Sequence, residues 1–138
     1  MADDTRTVDK AHVDETSEEP KLPGHETELE PKPEWEPRYP GSGRLKGMVA
    51  IVTGGDSGIG RATAVLFARE GAKVAVAYLE EDDDAKITAE AIEHEGSEAL
   101  TFAGDLGAPE VAKKLVEKVV DRWGRLDVLI NNAGEQHP

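Results

Sequence analysis

The sequence predicts an α/β fold with a parallel, doubly wound sheet, and three observations support this. Short apolar runs alternate with helical patterns along residues 47–138, an order typical of parallel sheets with helices on both faces. A glycine-rich segment, Thr-Gly-Gly-Asp-Ser-Gly-Ile-Gly at residues 53–60, follows the first apolar run. A second motif, Asn-Asn-Ala-Gly at residues 131–134, follows the last one.

Each predicted element has a local reason. The first strand, residues 48–53, is a nearly continuous apolar run, as expected for a strand buried on both faces. Acidic residues begin the second helix, where they complement the helix dipole. Pro109 begins the third helix, where proline is tolerated, and Gly124 ends it. Further strands are predicted at residues 73–78, 98–103 and 126–130, and helices at residues 59–69, 82–95 and 109–123.

Residues 1–46 are predicted to form a disordered or extended arm that precedes the domain at residues 47–138. This arm is acidic, contains six of the eight prolines and has few aliphatic residues. It therefore cannot bury enough apolar surface to offset the entropy cost of ordering it. Trp35 and Tyr39 leave two alternatives open: they belong to a solvated linker, or they dock on the domain or on a neighbouring subunit.

The net charge of −13 argues against binding to nucleic acid or to anionic membranes. The chain has no cysteine, no signal-peptide pattern at its N-terminus and no apolar stretch long enough to span a bilayer. Its four histidines show no metal-ligand spacing. We therefore expect a soluble, cytoplasmic protein without a metal site.

The two motifs are expected to meet at one place. In a dinucleotide-binding, Rossmann-type sheet the strand order is 3-2-1-4, and ligands bind beyond the carboxyl ends of the strands where the order reverses. The glycine-rich segment leaves strand one there, and residues 131–134 leave strand four there. This sheet would be the N-terminal half of the complete doubly wound fold.

The glycines have distinct predicted roles. Gly54 allows a tight turn, Gly58 allows backbone to approach a pyrophosphate, and Gly60 lets the helix lie close to the sheet. The helix start near Gly58 and Ile59 offers amides and a positive dipole end to a phosphate. A purely structural turn is the alternative, although the position between strand and helix favours the binding role.

These motifs resemble those of the short-chain dehydrogenase/reductase family, with Asp105-Leu106 after strand three as a third matching element. Details of both motifs are similar to the branch with a proline-rich N-terminal extension. That branch includes glucose and ribitol dehydrogenase homologues and bacterial aldehyde reductases. The resemblance covers residues from about 45 to 138, and it implies binding of a nicotinamide dinucleotide.

The resemblance also implies roles for individual residues. The pyrophosphate and nearby ribose would be held by Gly54, Ser57, Gly58, Ile59 and Gly60. Asp105 would bind the adenine amino group, with Leu106 contributing a backbone contact, unless Asp105 only caps the next helix. Asn131, Ala133 and Gly134 would line the nicotinamide side, whereas Asn132 either lines the site or holds the strand ends together.

The choice between NAD and NADP depends on the end of strand two. By family register the discriminating position is Tyr78, with Glu80 two residues later, and no basic residue lies in the glycine loop itself. An acidic side chain here bonds the ribose and repels a 2′-phosphate, so electrostatics favours NAD. The alternative is that residues 80–84 are only a charged helix start.

Family members use a serine and a Tyr-x-x-x-Lys pair for proton transfer, and neither tyrosine of this chain is followed by such a lysine. We therefore expect no catalytic residue here, and a chain that is a fragment or a truncated gene product, inactive and poorly stable alone. When complete, the resemblance implies a homo-oligomer, a tetramer, acting on a small alcohol, aldehyde or ketone. Rival hypotheses are a dinucleotide-binding module without catalysis, a methyltransferase, and a stress-related structural role for the arm.

Overall fold

The fold is a four-stranded parallel sheet with helices on both faces, in a computed structural model that describes residues 30–32 and 34–134. The elements are β1 (Val49–Thr53), α1 (Gly58–Arg69), β2 (Lys73–Tyr78), α2 (Asp82–His94), β3 (Ala99–Ala103), α3 (Pro109–Trp123) and β4 (Val128–Asn131). The strands lie in the order β3-β2-β1-β4, and every pair is parallel. The predicted order 3-2-1-4 is confirmed.

Strand β4 is displaced from its predicted position by two residues at its start. Asp127, predicted to lie in the strand, instead lies just before β4 and makes two hydrogen bonds to the backbone of Val49. Its carboxylate accepts a hydrogen bond from the Val49 amide at 2.9 Å, and its own amide donates to the Val49 carbonyl at 2.9 Å. The strand then continues to Asn131, which pairs with Thr53. Asn131 is therefore the last residue of β4 and not the first residue of the loop.

Apolar residues cover both faces of the sheet, as the continuous apolar runs predict. The layer under α1 and α2 contains Val52, Ala64, Val65, Ala68, Ala72, Val74, Val76 and Ile92. The layer under α3 contains Val49, Ile51, Ala75, Ala77, Leu115 and Val119. Because neighbouring residues of β2 point to opposite faces, this one strand contributes to both layers. Among the described residues, no helix has the length and apolar character needed to cross a bilayer.

Residues 34–47, which we call the strap, lie against α1 without forming a helix or strand of their own. Trp35 packs on the apolar layer under α1 and α2, whereas Tyr39 is 78% exposed. Trp35 therefore docks on the domain, whereas Tyr39 does not, and docking of Tyr39 on a neighbouring subunit stays a prediction. Residues 1–29 and 33 of the predicted arm lie outside the described residues, and the boundary at residue 46 stays a prediction.

Candidate functional site

The glycine loop between β1 and α1 has the geometry that its glycines predict. Gly54 and Gly58 both have positive φ angles, +63° and +55°, which residues with a Cβ atom rarely adopt. Gly60 is different: a Cβ there would lie 2.0 Å from the Gly54 carbonyl oxygen and 2.6 Å from Nδ2 of Asn132. The first turn of α1 can thus approach the sheet only because residue 60 has no side chain.

The loop after β4 meets the glycine loop at the same edge of the sheet. Asn132 donates from Nδ2 to the Gly54 carbonyl at 3.1 Å, and the Cα atom of Ala133 lies 3.1 Å from the position of a Cβ on Gly54. The predicted convergence of the two motifs is therefore present. Of the two alternatives for Asn132, this bond is the structural one, because it ties the strand ends together.

Thr53 organises this junction, a role that sequence reasoning missed. Its buried hydroxyl accepts hydrogen bonds from the amides of Asn132 (3.0 Å) and Ala133 (3.1 Å) and donates to the Ile130 carbonyl (3.2 Å). One side chain thus satisfies three backbone groups where β4 ends. The sequence offers no direct signal for this role, because it depends on the register that places Thr53 opposite Asn131.

The start of α1 faces this junction. Ser57 is the N-cap residue, its side chain makes no capping bond, and the first turn has no acidic residue. Ile59 is 78% exposed at the same end of the helix. Because the N-terminal end of a helix carries partial positive charge, an anion placed here would be stabilised.

The end of β2 fixes a carboxylate that the sequence does not single out. Tyr78 is buried, and its hydroxyl donates to Oδ1 of Asp82 at 2.5 Å. This hydrogen bond, with burial adding to it, raises the pKa of Tyr78 to about 12. Glu80 is exposed. The acidic group fixed at this position is therefore Asp82, which sequence reasoning had treated as part of the helix start.

A second carboxylate lies in the glycine loop itself. Burial raises the pKa of Asp56, and the negative charges of Asp84 and Glu81 raise it further. The positive charge of Arg61 lowers the pKa of Asp56 in part. Arg61 is buried and donates from Nη2 to the carbonyl oxygens of Asp56 (2.5 Å) and Asp84 (3.2 Å). The end of the cleft near β2 is thus acidic, with its arginine occupied by internal contacts.

Asp105 follows β3 and is exposed. Its carboxylate accepts a hydrogen bond from the Gly107 amide at 2.9 Å, which closes a short turn. Helix α3 begins at Pro109 with Ala108 as its N-cap residue, so the alternative that Asp105 caps this helix is wrong. Leu106 packs on the apolar layer under α3.

The remaining predicted site residues, Asn131, Ala133 and Gly134, are exposed at the carboxyl end of β4. Within residues 30–32 and 34–134, no three histidine, aspartate or glutamate side chains are grouped to hold a metal ion. His12, His25 and His137 lie outside the described residues. The site is therefore built from two loops, the start of α1 and the carboxylates of Asp56 and Asp82 near the end of β2, which we call the acidic rim.

This combination of sheet order and paired loops at the switch point defines a Rossmann-type nucleotide-binding fold. The chain belongs to the short-chain dehydrogenase family, because the family model described as "short chain dehydrogenase" matches residues 48–138.

Several relatives and solved structures are similar to this chain. General stress protein 39 of Bacillus subtilis is 50% identical over 119 residues, which span 86% of this chain and 42% of that protein. NADPH-dependent aldehyde reductase 1, chloroplastic, of Arabidopsis thaliana is 43% identical over 122 residues, covering 83% of this chain and 42% of that protein. The structure of an NAD⁺-bound xylitol dehydrogenase aligns with a TM-score of 0.64 and 32% identity, over 67% of this chain and 35% of that one. The chain spans about two fifths of the length of these curated relatives.

Proposed function

We propose that this chain forms the cofactor-binding part of an oxidoreductase that transfers a hydride between NAD(P) and an alcohol or carbonyl substrate. The observation that carries the proposal is the junction of the two loops, where Asn132 bonds the Gly54 carbonyl and Gly60 leaves space for both. The bound cofactor would supply the nicotinamide ring that accepts or donates the hydride. The residues of this chain would bind and orient it.

The proposed contacts follow the three parts of the cleft. The backbone of Gly54, Gly58, Ile59 and Gly60, together with the backbone and hydroxyl of Ser57, would hold the pyrophosphate at the positive end of α1. Asp105 and Leu106 would contact the adenine, and Asn131, Ala133 and Gly134 the nicotinamide side. Tyr78 and Glu80 remain candidates at the ribose, where we add Asp82 because the Tyr78 hydroxyl fixes its carboxylate.

The acidic rim favours NAD over NADP. A 2′-phosphate bound near β2 would face the carboxylates of Asp56 and Asp82, and Arg61 is already engaged by Asp56 and Asp84. Repulsion between these negative charges and the 2′-phosphate disfavours binding of NADP. The relative named as NADPH-dependent makes a direct test necessary.

Dissociation constants for NAD and NADP at one fixed ionic strength test this preference. We expect tighter binding of NAD, and we expect Asp82→Asn to reduce the discrimination about 3- to 10-fold, since it removes one charge. Asp83→Asn is the matched control, because Asp83 lies in the same helical turn and is exposed. Tighter binding of NADP by the unmodified protein would overturn the preference.

The rival function is a dinucleotide-binding module without catalysis. The enzyme and the module are distinguished by whether the reading frame continues beyond Pro138 into a Tyr-x-x-x-Lys sequence.

We further propose that the complete protein is a cytoplasmic homo-oligomer, a tetramer, acting on a small alcohol, aldehyde or ketone. An assay of cofactor reduction or oxidation over a panel of sugar alcohols and aldehydes, with the complete protein, tests the reaction. Binding of the cofactor without turnover of any of them would favour the module.

A further inference from the structure

The strap is fixed to the end of α1 by two charged residues. The Glu70 carboxylate accepts hydrogen bonds from the amides of Ser42 (3.1 Å) and Arg44 (3.0 Å) and from the Arg44 guanidinium (3.1 Å). The Arg69 guanidinium donates to the carbonyl oxygens of Pro37 (3.0 Å) and Tyr39 (2.9 Å). These bonds hold the backbone of the strap over α1 and so fix where Trp35 lies.

Trp35 contacts the arginine that supports the glycine loop. The guanidinium carbon of Arg61 lies 5.5 Å from the centroid of the Trp35 ring, within the range of a cation–π interaction. Arg61 is 5% exposed, so the indole forms part of the covering that keeps this charge from solvent.

Arg61 in turn is hydrogen-bonded to the backbone of the glycine loop. Its Nη2 donates to the Asp56 carbonyl, and its Nε donates to the Thr88 hydroxyl at 3.0 Å. That hydroxyl has two acceptors at 3.3 Å, the same Asp56 carbonyl and the Asp84 carbonyl. Asp56 lies between Gly55 and Ser57, so the hydrogen bonds to its carbonyl restrain the backbone of the loop that leads into α1.

We propose that Trp35 is a positioning residue for cofactor binding, acting through Arg61 to fix the glycine loop. This inference rests on the proposed function, because it concerns the same loop. A loop already held in its binding conformation loses less entropy when the cofactor binds. Loss of the indole face would leave Arg61 less restrained, and the Asp56 carbonyl would lose part of its support.

The test compares three variants of the complete protein as its gene encodes it. Trp35→Leu keeps an apolar side chain against the core but removes the aromatic face, and Trp35→Phe restores an aromatic face. Tyr39→Leu is the matched control, since Tyr39 is an exposed aromatic of the same strap. For each protein, the Kd for NADH is measured by its fluorescence. Hydrogen exchange of the peptides that cover residues 54–60 and β2 is followed by mass spectrometry.

We expect Trp35→Leu to raise the Kd for NADH about 5- to 10-fold and to speed exchange in residues 54–60 while β2 is unaffected. Trp35→Phe should lie within about twofold of the unmodified protein, and Tyr39→Leu should match it. Unchanged exchange at the loop in Trp35→Leu would overturn the inference, as would faster exchange with an unchanged Kd. Equal acceleration in the loop and in β2 would also overturn it, because that pattern is general destabilisation.

Failure of the proposed function gives a different result. In that case the unmodified protein binds neither NADH nor NADPH, and the Kd carries no information about Trp35. The exchange measurement then decides alone: selective acceleration at residues 54–60 in Trp35→Leu still supports the link from the strap to the loop, and its absence overturns that link.

Discussion

At the scale of single residues, the hydroxyl of Thr53 has three backbone partners in the cleft. It serves two amides and one carbonyl of the segment that leaves β4. In Thr53→Val the shape is kept but the amides of Asn132 and Ala133 lose their acceptor. We expect the free energy of unfolding to fall by about 1–3 kcal/mol, because these partly buried amides lose their partner. Urea denaturation measures the change.

Thr63→Val is the matched control for that substitution. The Thr63 hydroxyl donates to the Ile59 carbonyl within α1 at 2.8 Å, and that carbonyl already belongs to the helix. Its loss should cost about 0.5 kcal/mol or less, the usual range for sites away from buried networks. Equal losses in the two variants would show that Thr53 has no special role at the junction.

Gly60 makes the second prediction at this scale. A Cβ in Gly60→Ala would meet the Gly54 carbonyl oxygen at 2.0 Å, and backbone on both sides cannot yield easily. We expect a loss of about 1–3 kcal/mol in the free energy of unfolding, typical of overpacking, measured by urea denaturation. In Gly134→Ala the added Cβ meets no atom within 4 Å, so stability should be nearly unchanged. A Gly60→Ala protein as stable as the unmodified one would contradict the close approach of α1.

The sequence predicts some of these residues better than others. A glycine between a strand and a helix predicts that the two elements lie close together, because only a residue without Cβ permits the approach seen at Gly60. Thr53 and the Tyr78–Asp82 pair have no such pattern. Their roles depend on which side chains the register of β1 with β4, and the turn after β2, bring within hydrogen-bond distance.

At the scale of elements, the strap is fixed by charge. The hydrogen bond from the Arg44 side chain lowers the pKa of Glu70 to about 2, and the amides of Arg44 and Ser42 act in the same direction. A lowered pKa in the folded state means that ionised Glu70 stabilises the fold. That contribution is complete above the ordinary value of 4.5 and is lost as the pH falls toward 2.

Glu70→Gln tests this contribution, since glutamine keeps an acceptor but removes the charge. We expect the unmodified protein to be more stable than the variant at pH 7, and the difference to shrink between about pH 4.5 and pH 2. Urea denaturation at several pH values provides the measurement. Glu90→Gln is the control, because its ion pair with Lys86 is exposed and such pairs contribute little. A difference between Glu70→Gln and the unmodified protein that is constant with pH would contradict the role of the charge.

The elements themselves were largely predictable, and the exceptions have physical causes. Strands β1 and β2 are continuous apolar runs, so their pattern alone locates them to within one residue. Strand β4 was placed two residues early because Leu126 is apolar, although it packs against the core ahead of the strand. The docking of Trp35 could not be read from the sequence, since it depends on Arg69 and Glu70, over 30 residues away, and on Arg61.

At the scale of the whole molecule, the apolar layers are deepest under β1 and β2 and thin out toward β4. Alternate residues of β4 are exposed, and within the described residues this strand pairs only with β1. Its other side therefore presents unpaired backbone groups beside an apolar side chain, Leu129, which is 52% exposed. An edge of this kind favours pairing with a second chain.

We therefore expect Leu129→Lys to slow the aggregation of this 138-residue chain, because a charge on an edge strand opposes pairing with another edge. Leu66→Lys is the matched control: Leu66 is 42% exposed, but it lies on α1, whose backbone groups are bonded within the helix. Light scattering at equal concentration and temperature follows both variants beside the unmodified chain. If exposed apolar area alone caused the aggregation, the two lysines would slow it about equally. A selective effect of Leu129→Lys would instead identify the edge of β4 as the surface through which chains associate.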